Sequence, residues 1–302
     1  LDNFIITVAL LLIGITIKRL PAFSKETGAV LNLFVIYISL PALVLLKVPE
    51  LIFSKDLLAP ALMPWGMLLS SAAAVLFLSK VFGWDKGTTG CLLLLIPLGN
   101  TSFLGIPMVK SFFGDNAIPY AVLYDQLGSF LALATYGSLV LALYGLKNTK
   151  PSVTDVVKKV VTFPPFIALL LAFFLRSFSY PDVTQNILEM LAATLVPLVM
   201  IAVGYQLQLR LNREVVGQLT VGLLIKLVAA PILALIFCRF AGLEGNAVNV
   251  SIFEAGMPPM ISAGALAIIA DLNPQLTAAL VGIGILVSFV TLPTLYQLII
   301  LT

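Results

Sequence analysis

The sequence has no histidine, two cysteines, and few charged side chains for its length, 14 acidic and 17 basic in 302 residues. The missing histidine excludes His-ligated metal sites, His general bases and Ser-His-Asp triads together. Cys91 and Cys238 both lie inside apolar runs and indicate no disulfide framework. Charged residues make up 10% of the chain, where an average soluble domain carries about 25%. A net charge of +3, with no basic cluster interleaved with aromatics, gives no footprint for nucleic acid, which is excluded as a partner. A Gly-rich phosphate loop ending in Lys-Ser/Thr is also missing, so the chain has no ATPase motif of its own.

What the chain does have is apolar surface, with 60% of its residues hydrophobic. A soluble fold of this size could not hide so much, whereas a lipid-facing one can. Ten runs are long enough to be read as spans, at about 3–20, 28–47, 57–81, 88–113, 117–146, 162–179, 186–207, 217–241, 246–270 and 275–301. The first reads as a span rather than a signal peptide, because Lys18-Arg19 close it and no small-residue cleavage site follows. Connections after odd-numbered spans hold most of the cations: Lys18, Arg19, Lys25, Lys80, Lys86, Lys147, Lys150, Lys158, Lys159, Arg210 and Arg213. Connections after even-numbered spans, with the span ends beside them, hold Lys47, Lys55, Lys110, Arg176 and Arg239. The positive-inside rule then makes the odd connections cytoplasmic and puts both termini outside. The polar stretch near the middle divides the chain into a first five-span half (1–146), a cytoplasmic linker (147–160) and a second five-span half (161–302). An odd number of spans per half inverts the second half relative to the first if the two share a fold.

The halves show matching features. Gly83 and Gly242 each precede an acidic residue by two positions, with an apolar span following. Counted from these glycines, Gly99-Asn100 in the fourth span corresponds to Pro258-Pro259 in the ninth. Leu40-Pro41 in the second span and Val196-Pro197 in the seventh are also in corresponding spans. Gly- or Pro-interrupted spans at matching places in two halves point to a transporter site near the midplane. The segment Ile96–Pro107 holds two prolines and two glycines, so a regular helix is not expected there. Asn100, Thr101 and Ser102 add donors and acceptors at that break, and the half-helix beginning there turns a partial positive charge on it, which suits a carboxylate. In the ninth span, Gly256-Met257-Pro258-Pro259 breaks the helix just after Glu254.

Two acids fall inside spans. Glu254 could ligate a cation, carry a proton or pair with a cationic group, or stand protonated and bonded to backbone. Asp125, in Tyr124-Asp125-Gln126, suits proton coupling or a static polar lock between helices. No Gly-x-Gly-Asp segment accompanies these acids, so an aspartyl intramembrane protease is set aside and the chain is read as no enzyme. Lys226 in the eighth span is read as snorkelling to the cytoplasmic interface, and Asp271 and Glu189 as solvated at span ends.

The run Gly99-Asn100-Thr101-Ser102-Phe103-Leu104-Gly105-Ile106-Pro107 resembles the fourth-helix motif of the auxin efflux carrier family. Phe113-Gly114-Asp115, Ala121–Asp125 and Ser288–Pro293 look like the same family, and the likeness covers essentially the whole chain. That family takes in plant auxin exporters and bacterial carriers of malonate, malate and similar carboxylates, and its fold is distantly similar to that of bile acid sodium symporters. The resemblance implies an all-α membrane protein of ten helices in two inverted five-helix repeats, with broken helices four and nine crossing. Substrate would bind beside the crossing and move by elevator-type alternating access. Asn100 matches the residue that contacts the carboxylate in the auxin exporters, with Thr101, Ser102, Pro258, Pro259 and Met260 around it. Glu254 matches a sodium-ligating residue of the bile acid symporters, although Pro258-Pro259 replaces the polar pair that follows there. Glu254 and Asp125 are therefore the ion-coupling candidates, with sodium or a proton as the coupling ion and no other cofactor. The expected function is a secondary transporter of a small organic anion, mono- or dicarboxylate, in a bacterial inner membrane, with a homodimer as the family's assembly. The alternative from a different class is an ion channel or membrane sensor on the same scaffold.

Overall fold

A computed structural model describes residues 2–51, 57–145, 152–207 and 213–302, and among these the regular elements are helices. In chain order they are α1 (Asp2–Ile17), α2 (Thr27–Glu50), α3 (Leu58–Phe82), α4 (Lys86–Leu95), α5 (Ile106–Phe113), α6 (Asp115–Tyr144), α7 (Val153–Val161), α8 (Pro164–Leu175), α9 (Asp182–Gln206), α10 (Val216–Phe240), α11 (Asn246–Ala255), α12 (Ile261–Ile269) and α13 (Pro274–Leu301). Six of them, α2, α3, α6, α9, α10 and α13, are long and apolar enough to cross a bilayer. A further span results if α7 and α8, bent by 61° from each other, act as one. The protein is thus an all-α, multi-span membrane protein. α7 occupies much of the stretch 147–160 expected to be a linker, and residues 146–151 lie outside the described residues. So do Lys55, Lys147, Lys150 and Arg210 among the cations that set the expected orientation.

The outer faces suit lipid. On α3 the buried residues Pro60, Pro64, Leu68, Ser71, Ala72 and Val75 follow helical spacing, while Leu62, Leu69 and Phe77 stand exposed. Phe174 on α8 is 83% exposed and Phe240 at the end of α10 is 93% exposed. In water such side chains would drive aggregation; in hydrocarbon they cost nothing.

Proline shapes three helices in one way. Pro41, Pro107 and Pro231 each follow a five-residue π turn by two positions, at Val35–Ser39, Thr101–Gly105 and Ile225–Ala229. The proline ring would clash with the carbonyl four residues back, so the preceding turn widens. The Leu40 amide then donates to the Val35 carbonyl, and the Ala230 amide to the Ile225 carbonyl, five residues back rather than four. A widened turn re-aims the side chains within it, which decides where Lys226 points.

The chain forms two compact units, each discontinuous in sequence and each drawing on both halves. Unit 1 comprises Leu1–Ser54, Ser102–Val122 and Val157–Leu207. In it α1 packs on α9 at backbone contact: a methyl group on Gly14 would strike the Ile201 carbonyl, and one on Gly204 the Leu11 carbonyl. Just ahead of Pro41 and Pro197, the hydroxyls of Ser39 and Thr194 share a hydrogen bond of 2.7 Å, which ties the interrupted second and seventh spans together.

Unit 2 comprises Lys55–Thr101, Leu123–Val156 and Gln208–Thr302. Its core joins Leu68 and Val75 of α3, Leu92 to Leu95 of α4, Leu219 and Leu223 of α10, Ala263 and Ala267 of α12, and Leu276 and Leu280 of α13. α4 is buried from Thr88 to Leu95, as an all-round apolar helix must be. α3 and α10 end alike. Gly83 and Gly242 adopt left-handed backbone, with φ of 63° and 67°, and the next amides, of Trp84 and Leu243, reach back to the Ser79 and Cys238 carbonyls at 3.1 and 2.8 Å. Asp85 then caps α4, accepting from the Thr88 amide at 3.0 Å and the Thr88 hydroxyl at 2.6 Å.

Two outcomes follow for the protein in detergent. Gly204→Val should lower stability by about 1–3 kcal/mol through overpacking, read as a fall in thermal midpoint, whereas Gly66→Ala, with open space around it, should not lower it. The Thr88 hydroxyl bond is the largest cause holding the Asp85 carboxyl below its ordinary value. Because that value is lowered, the cap's contribution is complete above the ordinary carboxylate range and is lost as the pH falls from that range through the lower folded value. Asp85→Ala should therefore cost about 1 kcal/mol at neutral pH and progressively less in acid; an unchanged cost in acid would contradict the assignment.

Candidate functional site

Two helices of unit 2 stop inside the apolar core of that unit. α4 ends at Leu95 and α11 at Ala255, each after 10 residues. Broken ends leave amides and carbonyls without helical partners, and hydrocarbon offers none. The two breaks satisfy each other. The Asn100 amide donates to the Pro258 carbonyl at 2.8 Å, and the Met260 amide donates to the Leu98 carbonyl at 3.0 Å. Gly99 and Pro259 face each other between these bonds as an antiparallel bridge. This is the non-hydrogen-bonded position of such a pair, where the two backbones come closest. Proline loses nothing there, since its missing N–H is not called on, and glycine opposite has no side chain to clash. Gly284 of α13 completes the fit, since a methyl group there would lie 2.8 Å from Pro259 Cδ.

The side chains around the crossing are polar and buried. Asn100 and Thr101 are 2% and 1% exposed, Asp125 1%, and Glu254 is fully buried. The Thr101 hydroxyl donates to Asp125 Oδ1 and Gln126 Nε2 to Asp125 Oδ2, both at 2.6 Å. Tyr124, Asp125 and Gln126 sit on a π turn of α6, Tyr124–Phe130, which lets all three be buried in succession. α3 seats that turn: the Pro64 ring occupies the space a side chain on Gly128 would need, and Trp65 Nε1 donates to the Leu127 carbonyl at 3.0 Å. Among the described residues, Asn100 Nδ2 and both carboxyl oxygens of Glu254 have no hydrogen-bond partner.

A cavity of about 10 Å³ lies here, lined by Gly99, Thr101, Tyr124, Lys226 and Glu254 among others. On that measure a single water needs roughly 10–15 Å³, so the space admits a water or a bare ion and no carboxylate substrate. Lys226 is a correction to the snorkelling expectation. It is only 4% exposed, and its Nζ would lie 3.2 Å from a methyl group placed on Gly99. The π turn Ile225–Ala229, imposed by Pro231, carries it to the crossing. Its depth was the available signal: α10 runs 25 residues from Val216, so Lys226 lies too near the middle to reach an interface with its stem.

The structure therefore assembles Asn100, Thr101, Pro258, Pro259 and Met260 at one crossing, with Asp125 hydrogen-bonded to Thr101 and Glu254 in the adjoining cavity. Ser102 is half-buried and belongs to unit 1. Asp271 is exposed in the turn after α12, whereas Glu189, also exposed, lies within α9 rather than at its end and accepts from Gln185 Nε2 at 3.0 Å.

Similarity to known proteins runs the length of the chain. The family described as membrane transport protein matches residues 3–296. An uncharacterized transporter of Methanothermobacter thermautotrophicus is 28% identical over 296 residues, 97% of this chain and 96% of its own length. The uncharacterized transporter MJ1031 of Methanocaldococcus jannaschii is 26% identical over 288 residues, 92% of either chain.

The Thr101–Asp125 bond gives a direct check on the site. Thr101→Val leaves a buried carboxylate oxygen without this donor and should cost about 1–3 kcal/mol, read as a lowered thermal midpoint. Thr101→Ser keeps the hydroxyl and should recover most of the loss; equal effects of the two would mean that packing, not the bond, matters.

Proposed function

We infer that this chain, which belongs to the membrane transport protein family that includes the auxin efflux carriers, is a secondary carrier of a small organic anion, a mono- or dicarboxylate of the malonate, malate or auxin kind. The observation that carries this reading is the backbone crossing of two broken helices with an unpartnered amide donor, Asn100 Nδ2, buried beside it. A carboxylate is the ligand such a donor suits, and the half-helices beginning near the crossing add their partial positive charge. Thr101, Ser102, Pro258, Pro259 and Met260 frame the same place in the proposed site. Glu254 and Asp125 are its coupling groups, for a proton or for sodium at Glu254.

The proposed architecture has ten spans, counting α1 and taking α4 with α5, α7 with α8 and α11 with α12 as one span each. They form two inverted repeats, 1–146 and 161–302, joined by the linker 147–160. Support comes from the paired features of the two halves: the like caps at Gly83 and Gly242, the helices of 10 residues that follow, and the breaks that meet at Gly99 and Pro259. The cavity at the crossing is too small for a carboxylate substrate, so the proposed site lies beside the crossing, and the family resemblance supports elevator-type alternating access. In the proposed topology both ends of the sequence lie outside, which the charge bias of the connections supports, and the family resemblance supports an inner membrane and a homodimer.

The test is uptake of labelled malonate, malate and indole-3-acetate into proteoliposomes under imposed proton or sodium gradients. Saturable uptake of at least one is expected, and Asn100→Ala should abolish it while leaving the thermal midpoint in place. Unchanged uptake by that variant would remove Asn100 from the site, and conductance without saturation would make the protein a channel.

A further inference from the structure

The buried cluster at the crossing contains two carboxyl groups, Asp125 and Glu254, and one amine, Lys226. The cavity that Glu254 and Lys226 line is also faced by Tyr124, a neutral phenol. α3 contributes Pro64 and Leu68 to that cavity. α12 and α13 hold no charged residue over their whole lengths, and the only charge on α4 is Lys86 at its first position. Fully ionised, the cluster would therefore be one positive charge short, and an uncompensated charge away from water is costly. The hydrogen bonds tell the two acids apart. Both oxygens of Asp125 accept short bonds, from Thr101 and Gln126, which favours a carboxylate. Among the described residues, neither oxygen of Glu254 accepts any.

We propose that this cluster carries one exchangeable proton, on Glu254, with Asp125 as its anion and Lys226 as a built-in cation, so that the coupling ion of the carrier is a proton and the site takes no sodium. Lys226 already supplies positive charge to the space a metal cation would need, and like charges there repel strongly. Apart from Glu254, the side-chain oxygens lining the cavity are the neutral hydroxyls of Thr101, Tyr124 and Ser129, and that of Thr101 is already bonded to Asp125. Pro258 and Pro259 have no side-chain oxygen, and the Leu98 and Pro258 carbonyls already accept the Met260 and Asn100 amides. The cavity that the acid and the amine both line is of a size for one water, through which a proton can leave Glu254 and return. When the proton leaves, the cluster gains a negative charge; when it returns, the charge is neutralised, and this couples proton movement to movement of an anion.

The proposal deepens the carrier reading and rests on it, but its test needs no substrate. The intact protein in lipid nanodiscs at neutral pH should show the infrared carbonyl band of a protonated carboxylic acid. Glu254→Gln, which copies the shape of the neutral acid, should lose that band and keep the wild-type thermal midpoint. Lys226→Met removes the cation, so the cluster must take up a second proton and the band should grow about twofold; Lys226→Arg should leave it unchanged. Sodium chloride should stabilise the wild type no more than equal choline chloride does. The proposal is overturned if the wild type shows no such band, if the band survives in Glu254→Gln, if Lys226→Met folds with the band unchanged, or if sodium raises the thermal midpoint specifically. Should Lys226→Met not fold, the Glu254→Gln band and the sodium comparison still decide it. Failure of the carrier reading would look different: no carboxylate uptake, with the acid band in place.

Discussion

A helix that stops inside a bilayer strands backbone amides and carbonyls where no water can reach them, and each stranded group costs several kcal/mol. α4 and α11 both stop inside the apolar core of unit 2, where the same cost applies, and the bonds between Asn100 and Pro258 and between Met260 and Leu98 are what make those stops tolerable. Much of unit 2 follows from that pairing. A methyl group on Gly99 would press on the Lys226 amine at 3.2 Å, and Gly284 must be small because α13 lies against the Pro259 ring. α4 is sheathed in apolar side chains from α3, α10, α12 and α13, and the break at its end leads into the buried polar cluster of Thr101 and Asp125.

The charges depend on the same geometry. π turns in α6 and α10, the latter imposed by Pro231, aim Asp125 and Lys226 inward. A straight helix would present these positions at other angles, and a lysine in mid-span facing lipid would be expensive. Three ionisable groups thus share one buried neighbourhood, held by few bonds among the described residues apart from those on Asp125. Loosely held buried charge suits a site that must change state, since a fully satisfied network would have no reason to move.

Sequence reasoning read the breaks well because proline and glycine act locally. Ile96–Pro107 and Phe253–Gly264 announced their interruptions through residues that cannot continue a helix, and Asn100 and Glu254 lay within them. The correspondence of Gly83 with Gly242 was visible for the same reason, and both proved to be left-handed caps. Lys226 was misread because its role depends on a partner 127 residues back, Gly99, and on a π turn whose cause, Pro231, lies downstream of it. Asp125 stood undecided between a polar lock and a coupling group. Its bonding to Thr101 could not be read from sequence, since it joins positions on different helices across the break. The division into compact units was equally hidden, because each unit is assembled from distant stretches of chain.

Amide hydrogen exchange at Asn100 and Met260, measured by NMR on the protein in lipid nanodiscs, tests the crossing most directly. These two amides lie in irregular segments, where exchange is ordinarily fast, yet the pairing of the breaks predicts protection comparable to that of the helical amides of α4. Exchange at the rate of the connecting turns would contradict it, and with it the view that two broken helices complete each other to form the site.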